Sequence, residues 1–178
     1  MKTKNKELEQ FAFQTKHLEG DNEDFLELLS SHVGHLIFEF NLLEERLTSN
    51  IWQMISDRHD SEGVILTHNM NYSAKVDLFD RYSNYVQSIY DNEIKLHSKL
   101  ISDLKECGRL RNMVVHAEWN TVDPEGYAFV KFRVKKKNIT QEFVQLDENS
   151  LVKIRNMIIT TYNHFDDYDE QYSKLLRS

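Results

Sequence analysis

LRNMVVHAEW, Leu110 through Trp119, closes a long amphipathic run, and its reading decides how the chain folds. Leu110, Met113, Val114 and Ala117 recur at helical spacing and form the expected buried stripe. Arg111, Asn112 and His116 ride on the same turns, where a plain bundle core would be apolar. At about 100° per residue, Asn112 and His116 stand almost over one another, one turn apart. Arg111 lies about 140° round the helix from His116. The two side chains meet only if the guanidinium folds across, or if a second chain closes the gap. That offset points to a dimer.

The composition around this stretch is that of a globular chain of one domain's length: 178 residues, 40% hydrophobic and 29% charged. Five glycines and one proline leave little room for a turn-rich sandwich, so helix is the economical expectation. Cys107 is the single cysteine, which excludes an internal disulfide. No secretory or membrane-spanning stretch stands out, and the expectation is a cytoplasmic protein with a reduced thiol and no membrane partner. The net charge of -7 disfavours wrapping nucleic acid by bulk electrostatics but leaves room for a local basic site.

Upstream of the motif, residues 1–20 read as an N-terminal arm, and residues 21–178 as one helical domain. A long helix is expected from Asp21, capped by Asp21 or Asn22, with Asp24 in its first turn. Its face carries Phe25, Leu28, Leu29, Leu36, Ile37, Phe40, Leu43, Leu47, Ile51, Met54 and Ile55. The period is lost between Asp57 and Tyr72, a connection with room for a short turn of its own. A second helix follows from about Ser73 to Tyr90, burying Val76, Phe79, Tyr82, Val86 and Ile89. After Asp91 and Asn92 a third carries Ile94, Leu100, Ile101, Leu104, Leu110 and Val114.

Downstream, NTVDPEG stops the helix, because Pro124 cannot continue it and Gly126 suits a turn. The run from Tyr127 to Leu146 is the one strand signal, a β-hairpin at about 127–146. Ala128, Val130, Phe132 and Val134 share one side, with Lys131, Arg133 and Lys135 on the other. Lys136, Lys137 and Asn138 make the turn. A final helix begins at Asp147 or Asn149 and turns Leu151, Ile154, Ile158 and Tyr162 inward. The expected fold is mainly α, an antiparallel bundle of about four main helices with a β-hairpin inserted before the last.

The chemistry lies in three side chains. His116 can remove or deliver a proton near neutral pH. Arg111 offers fixed donors to a phosphate and stabilises charge developing on its oxygens. Asn112 can orient either of them, or hydrogen-bond a phosphate or a base. Together they suffice for metal-independent cleavage of RNA, in which a 2′-hydroxyl attacks the adjacent phosphate. The products are a 2′,3′-cyclic phosphate and a free 5′-hydroxyl.

RNMVVH, Arg111 to His116, resembles the signature of the HEPN superfamily: an arginine, usually a polar residue after it, then a histidine four to six positions on. The helix order from about Asp21 to Trp119, with the last helix, is also similar to that superfamily. The resemblance implies a small all-helical domain that dimerises through the motif helix, so that two motifs form one composite ribonuclease site. Many members serve toxin–antitoxin or phage-defence systems, which would make an antitoxin or another protein a partner. Arg111 would then bind phosphate, His116 would be the catalytic acid or base, and Asn112 the polar residue after the arginine. No cofactor is implied. Other members are inactive and only bind partners, so a non-catalytic helical dimer is the alternative reading. In it, Arg111 and His116 belong to an interface hydrogen-bond network.

Two further sets of residues invite a functional reading beside a plain structural one. Lys131, Arg133, Lys135, Lys136 and Lys137 are either the ordinary charged face of a hairpin or a basic surface for an RNA backbone. Tyr127 and Phe129, of the same parity, either stack on bases or pack inward. His32, His35 and Glu39, at i, i+3 and i+7, can share a helix face and are suitable zinc or iron ligands. No second helix supplies a clear matching pair, although His97 is a candidate, and two histidines on a half-exposed helix is the plainer account. Trp52 and Trp119 read as core or interface residues, and Cys107 falls on the buried side with no sign of activation.

Overall fold

The computed structural model describes residues 1–8, 23–56, 60–136 and 138–177. Among them the chain is mainly helical, with a small antiparallel sheet. In order it forms β1 (Thr3–Glu7), α1 (Glu23–Ile55), α2 (Ser61–Thr67), α3 (Tyr72–Ile89), α4 (His97–His116), a short 3-10 turn (Trp119–Thr121), β2 (Tyr127–Val134), β3 (Ile139–Gln145) and α5 (Glu148–Leu175). The helix bundle and the hairpin before the last helix agree with the sequence reading. The strand at the N-terminus does not: where an arm was expected, residues 3–7 pair with β3. The expected caps Asp21 and Asn22 lie outside the described residues, as does Lys137.

The chain divides into two compact units. The first comprises Met1–Ile37 and Leu110–Arg155, and it holds the sheet and the turn of helix that carries the motif. Strand order is β1-β3-β2. Lys4, Phe143 and Phe129 share one rung; Asn5, Glu142 and Lys131 the next; then Lys6, Gln141 and Phe132. The register slips between Phe129 and Lys131, which leaves Val130 as an extra residue, a β-bulge.

That slip overturns the expected alternation. A one-residue shift moves every later side chain to the other face. Tyr127 and Phe129 are buried together with Phe143, while Phe132 and Val134, expected inside, are exposed. Tyr127 and Phe129 therefore have no face to offer a base. Asp123 and Gly126 make the turn before β2. Asp123 accepts the N–H groups of Glu125 and Tyr127 on its carboxylate and that of Gly126 on its carbonyl. Gly126 has φ 83°, where glycine is favoured, and a Cβ there would meet Asp147 at 3.1 Å. Asp147 in turn accepts from the N–H of Ser150 at 2.8 Å and starts α5.

The second unit comprises Phe38–Arg109 and Asn156–Ser178. Its core is built at the expected spacing from Leu43, Leu47, Ile51, Val76, Phe79, Leu100, Leu104, Ile158, Phe165 and Tyr168. Phe79 is its aromatic centre, with ring centroids 5.7 Å from Phe165 and 5.1 Å from Tyr168. Asn71 caps α3 by accepting from the N–H of Ala74 at 2.9 Å. Tyr72 donates to the Leu104 carbonyl at 2.9 Å, and burial pushes its phenol well above the usual range. Arg46 joins Asp166 and Asp169, each at 2.8 Å. The connection after α1 forms α2, held by Trp52, whose Nε1 donates to Thr67 Oγ1 at 2.9 Å.

Some expected core residues are exposed. Leu28, Ile89 and Tyr162 face solvent, because the apolar stripe on each helix is wider than the neighbour that covers it. Ile94 is buried but precedes α4, which starts only at His97. The join between α3 and α4 is an irregular connection in which Asp91 takes a positive φ of 48°.

Candidate functional site

Leu110 and Val114 anchor the last two turns of α4 in the first unit, and their burial fixes which way the motif residues stand. Asn112 and His116 are exposed, one turn apart as the spacing requires, and Arg111 is half-buried. Arg111 Nη1 donates to Asn112 Oδ1 at 3.0 Å. The guanidinium thus leans across its own helix towards the stripe that carries Asn112 and His116. With its oxygen engaged, Asn112 has its amide NH2 as the group to present to a ligand. The last turns of α4 thus carry an exposed amide and an exposed imidazole, with a half-buried guanidinium bonded to the amide.

The end of the helix is fixed by two contacts. Trp119 Nε1 donates to the Val114 carbonyl at 3.0 Å, which satisfies one of the acceptors a helix C-terminus leaves open. Glu118 then donates its backbone N–H to the Phe129 carbonyl at 2.8 Å, forming an isolated bridge to β2. The sheet begins two residues beyond His116.

The basic hairpin residues fall into two groups. Glu142, buried between the strands, takes a bidentate pair from Arg133, Nε at 2.6 Å and Nη2 at 2.8 Å, with Lys131 Nζ at 3.7 Å. The Arg133 guanidinium holds the Glu142 carboxyl below the usual carboxylate range, and the carboxylate raises Arg133 in return. These two cations are engaged within the sheet. Lys135 and Lys136 are exposed and make no ion pair among the described residues. The Lys135 N–H donates to the Asn138 carbonyl at 2.9 Å and closes the turn.

The metal candidates are not drawn together. His32 Nε2 lies 3.4 Å from Glu148 Oε1, His35 is exposed, and among the described residues no group of three His, Cys, Asp or Glu side chains is gathered to hold an ion. Beside α1 in the first unit is an apolar cleft of about 410 Å³, lined by Leu26, Leu29, Val33, Gly34, Ile37 and Trp119.

The sequence reading missed a buried polar network in the second unit. His97 Nε2 lies 3.0 Å from Asp80 Oδ1, His97 Nδ1 lies 3.1 Å from Ser83 Oγ, and Ser83 Oγ lies 2.6 Å from the Tyr168 hydroxyl. Gln87 Nε2 also donates to Ser83 Oγ at 3.2 Å. Ser, His and Asp in line resemble a hydrolytic triad in composition. Ser83 is fully buried, though, so its hydroxyl is closed to a substrate carbonyl. The network reads as core polar packing. Its signal was spread over α3, α4 and α5, and no single helix pattern reveals it. Cys107 is buried against Thr161, and desolvation pushes its thiol up to about 11, so it is no nucleophile.

No protein-family model, no curated protein and no solved structure matches this chain.

Proposed function

We propose that the chain is a metal-independent endoribonuclease of HEPN type, acting as a homodimer in which two copies of the motif turn face one another. The observation that carries the reading is the Arg111–Asn112 hydrogen bond. It draws the guanidinium towards the side of α4 on which Asn112 and His116 stand, and a second chain would close the remaining gap to His116. In this reading Arg111 binds the scissile phosphate and stabilises the charge on its non-bridging oxygens. His116 takes the proton from the attacking 2′-hydroxyl or delivers one to the leaving 5′-oxygen, and the second chain supplies the complementary step. Asn112 steers the phosphate with its amide NH2. The bond that forms joins O2′ to phosphorus, and the bond that breaks joins phosphorus to O5′. A toxin of a toxin–antitoxin pair or a phage-defence effector is a fitting setting for such a protein.

The test is to incubate the purified chain with single-stranded and tRNA-like RNA in EDTA, alongside His116→Ala and Arg111→Ala proteins of unchanged fold and oligomeric state. Cleavage should persist in EDTA, leave cyclic phosphate ends and spare DNA. His116→Ala should lower the rate by about a hundred- to ten-thousand-fold, and Arg111→Ala by a comparable factor. An absence of cleavage of any RNA, with the dimer intact and no antitoxin bound, would reject the assignment.

The second reading, a non-catalytic interaction module, draws on a different observation. On α2 in the second unit, Val64, Ile65 and Leu66 are three consecutive exposed apolar residues, Ile65 at 78%. Such a run has no folding role on a solvent face and suits a protein partner. Capture of a protein partner that is lost on Ile65→Asp, with no RNA cleavage, would favour it.

A further inference from the structure

His116 is the last residue of α4, and its imidazole makes no hydrogen bond among the described residues. A histidine that moves protons is ordinarily oriented by the bond its second ring nitrogen makes. This one is placed by its backbone alone. The last turn of a helix is also where the backbone holds least, because its terminal carbonyls lack intrahelical partners and the end frays. The position of the imidazole therefore depends on whatever fixes that turn.

Trp119 holds it with both parts of its side chain. The indole Nε1–H donates to the Val114 carbonyl at 3.0 Å, which closes a short loop from Val114 to Trp119 with His116 inside it. The ring is half-buried and lines the apolar cleft beside Leu29, Val33 and Ile37 of α1, so packing limits the rotamers open to the donor. Backbone bonds complete the frame. The Trp119 N–H donates to the Ala117 carbonyl at 3.1 Å, the Val122 N–H to the Trp119 carbonyl at 3.3 Å and the Glu118 N–H to the Phe129 carbonyl at 2.8 Å. Those bonds are open to almost any residue at position 119. The tie to Val114 needs a side-chain N–H on a large apolar ring, and an indole supplies it without adding an acceptor or a titrating group. Trp119 is thus equipped to place His116 and not to share its chemistry.

We infer that Trp119 is a positioning residue of the ribonuclease: it fixes the turn that carries His116 and so sets the imidazole where proton transfer at the RNA 2′-hydroxyl or 5′-oxygen requires it. The role rests on the ribonuclease reading. A displacement of about 1 Å at a reacting group costs up to about a hundred-fold in rate, so a frayed last turn lowers turnover. Arg111 lies upstream of the Val114 tie on α4, and phosphate binding through it is left in place.

The experiment compares the full chain with Trp119→Phe, which keeps a ring for the cleft and removes the donor, at unchanged oligomeric state. Backbone nitrogen relaxation of residues 113–117 reports the order of the turn with no RNA present. Cleavage of single-stranded RNA in EDTA reports kcat and KM. In Trp119→Phe the order parameters there should fall from the rigid range, about 0.85, towards about 0.6. Its kcat should drop by about ten-fold or more, with KM kept within about two-fold. Val76→Ala, a truncation in the core of the second unit, is the control: it loses stability and should keep wild-type kcat and KM wherever it stays folded. A kcat for Trp119→Phe that matches that of Val76→Ala would overturn the role and leave the nuclease standing. A raised KM with kcat kept would also overturn it, since the indole would then serve RNA binding. A turn that stays ordered while kcat is lost would overturn it in favour of direct contact between indole and substrate. If the wild type cuts no RNA, the ribonuclease reading falls first and this role falls with it.

Discussion

Glu118 donates its backbone N–H to the carbonyl oxygen of Phe129 at 2.8 Å, so the chain leaves the motif helix and is captured by the sheet within two residues of His116. Phe129 is also the last residue before the register slip, and a bulge is a place where pairing is free to be redirected. The bulge and the bridge are one device. Its effect is to hold the exposed end of α4 against a buried aromatic cluster of Tyr127, Phe129 and Phe143.

Trp119 supplies the other tie, and its loss should be felt at the helix end first. Trp119→Phe keeps most of the apolar ring but removes the donor to the Val114 carbonyl. Urea denaturation should show a loss of about 1 kcal/mol. Hydrogen exchange in the last turn of α4 should quicken by more than that in the second unit. Equal change in both would show that Trp119 acts on global stability alone.

Glu142 should be the most sensitive charge in the sheet. Its carboxylate is nearly buried and accepts both Arg133 bonds, so Glu142→Gln should cost roughly 1–3 kcal/mol near pH 7. The folded-state pKa is lowered, chiefly by Arg133. The stabilisation is therefore fully present above the ordinary glutamate pKa and is lost as pH falls through the depressed one. Denaturation curves of wild type and variant should converge in acid. A gap that stays constant down to about pH 3 would contradict the pairing.

Most of the helical order was legible because packing follows a 3.6-residue period, and Leu36, Phe40, Leu43, Leu47 and Ile51 keep that period without interruption. Residues 3–7 gave no such signal. TKNKE is polar throughout, and as an edge strand it is fixed by backbone bonds to β3, which side-chain patterns do not encode. The slip at Val130 was equally invisible, because YAFVKFRV alternates well in either register. Of the candidate site, the relation of Asn112 to His116 follows from helix geometry alone. The side-chain bond from Arg111 to Asn112, and the difference between the paired Arg133 and the unpaired Lys135, depend on neighbours brought in by folding.

Cys107 should be inert in the native protein. Burial raises its thiol to about 11, so at neutral pH only a minute fraction is thiolate, and the sulfur is also out of reach of solvent. Labelling with iodoacetamide should follow the unfolding rate and not the intrinsic thiol rate, and it should rise sharply in urea. Fast labelling under native conditions would show that this part of the second unit opens readily.

The buried network around His97 makes a prediction about a single proton. Ser83 Oγ has two lone pairs, and Gln87 and the Tyr168 hydroxyl are placed to donate to both. The serine then has only its own proton to give, and the remaining neighbour is His97 Nδ1 at 3.1 Å. Nδ1 must accept, which puts the imidazole proton on Nε2, where it meets Asp80 at 3.0 Å. Nitrogen NMR of the histidine ring should show an Nε2–H tautomer, with Nδ1 bare and hydrogen-bonded. His97→Ala would leave a cavity and strand Ser83 and Asp80, at roughly 2–4 kcal/mol by denaturation. Ser83→Ala leaves His97 its bond to Asp80 but strands the Tyr168 hydroxyl and His97 Nδ1, so it should also cost roughly 1–3 kcal/mol. If the spectrum shows Nδ1 protonated, the Tyr168 hydroxyl must be the acceptor in its pair with Ser83, and the chain of donors runs the opposite way.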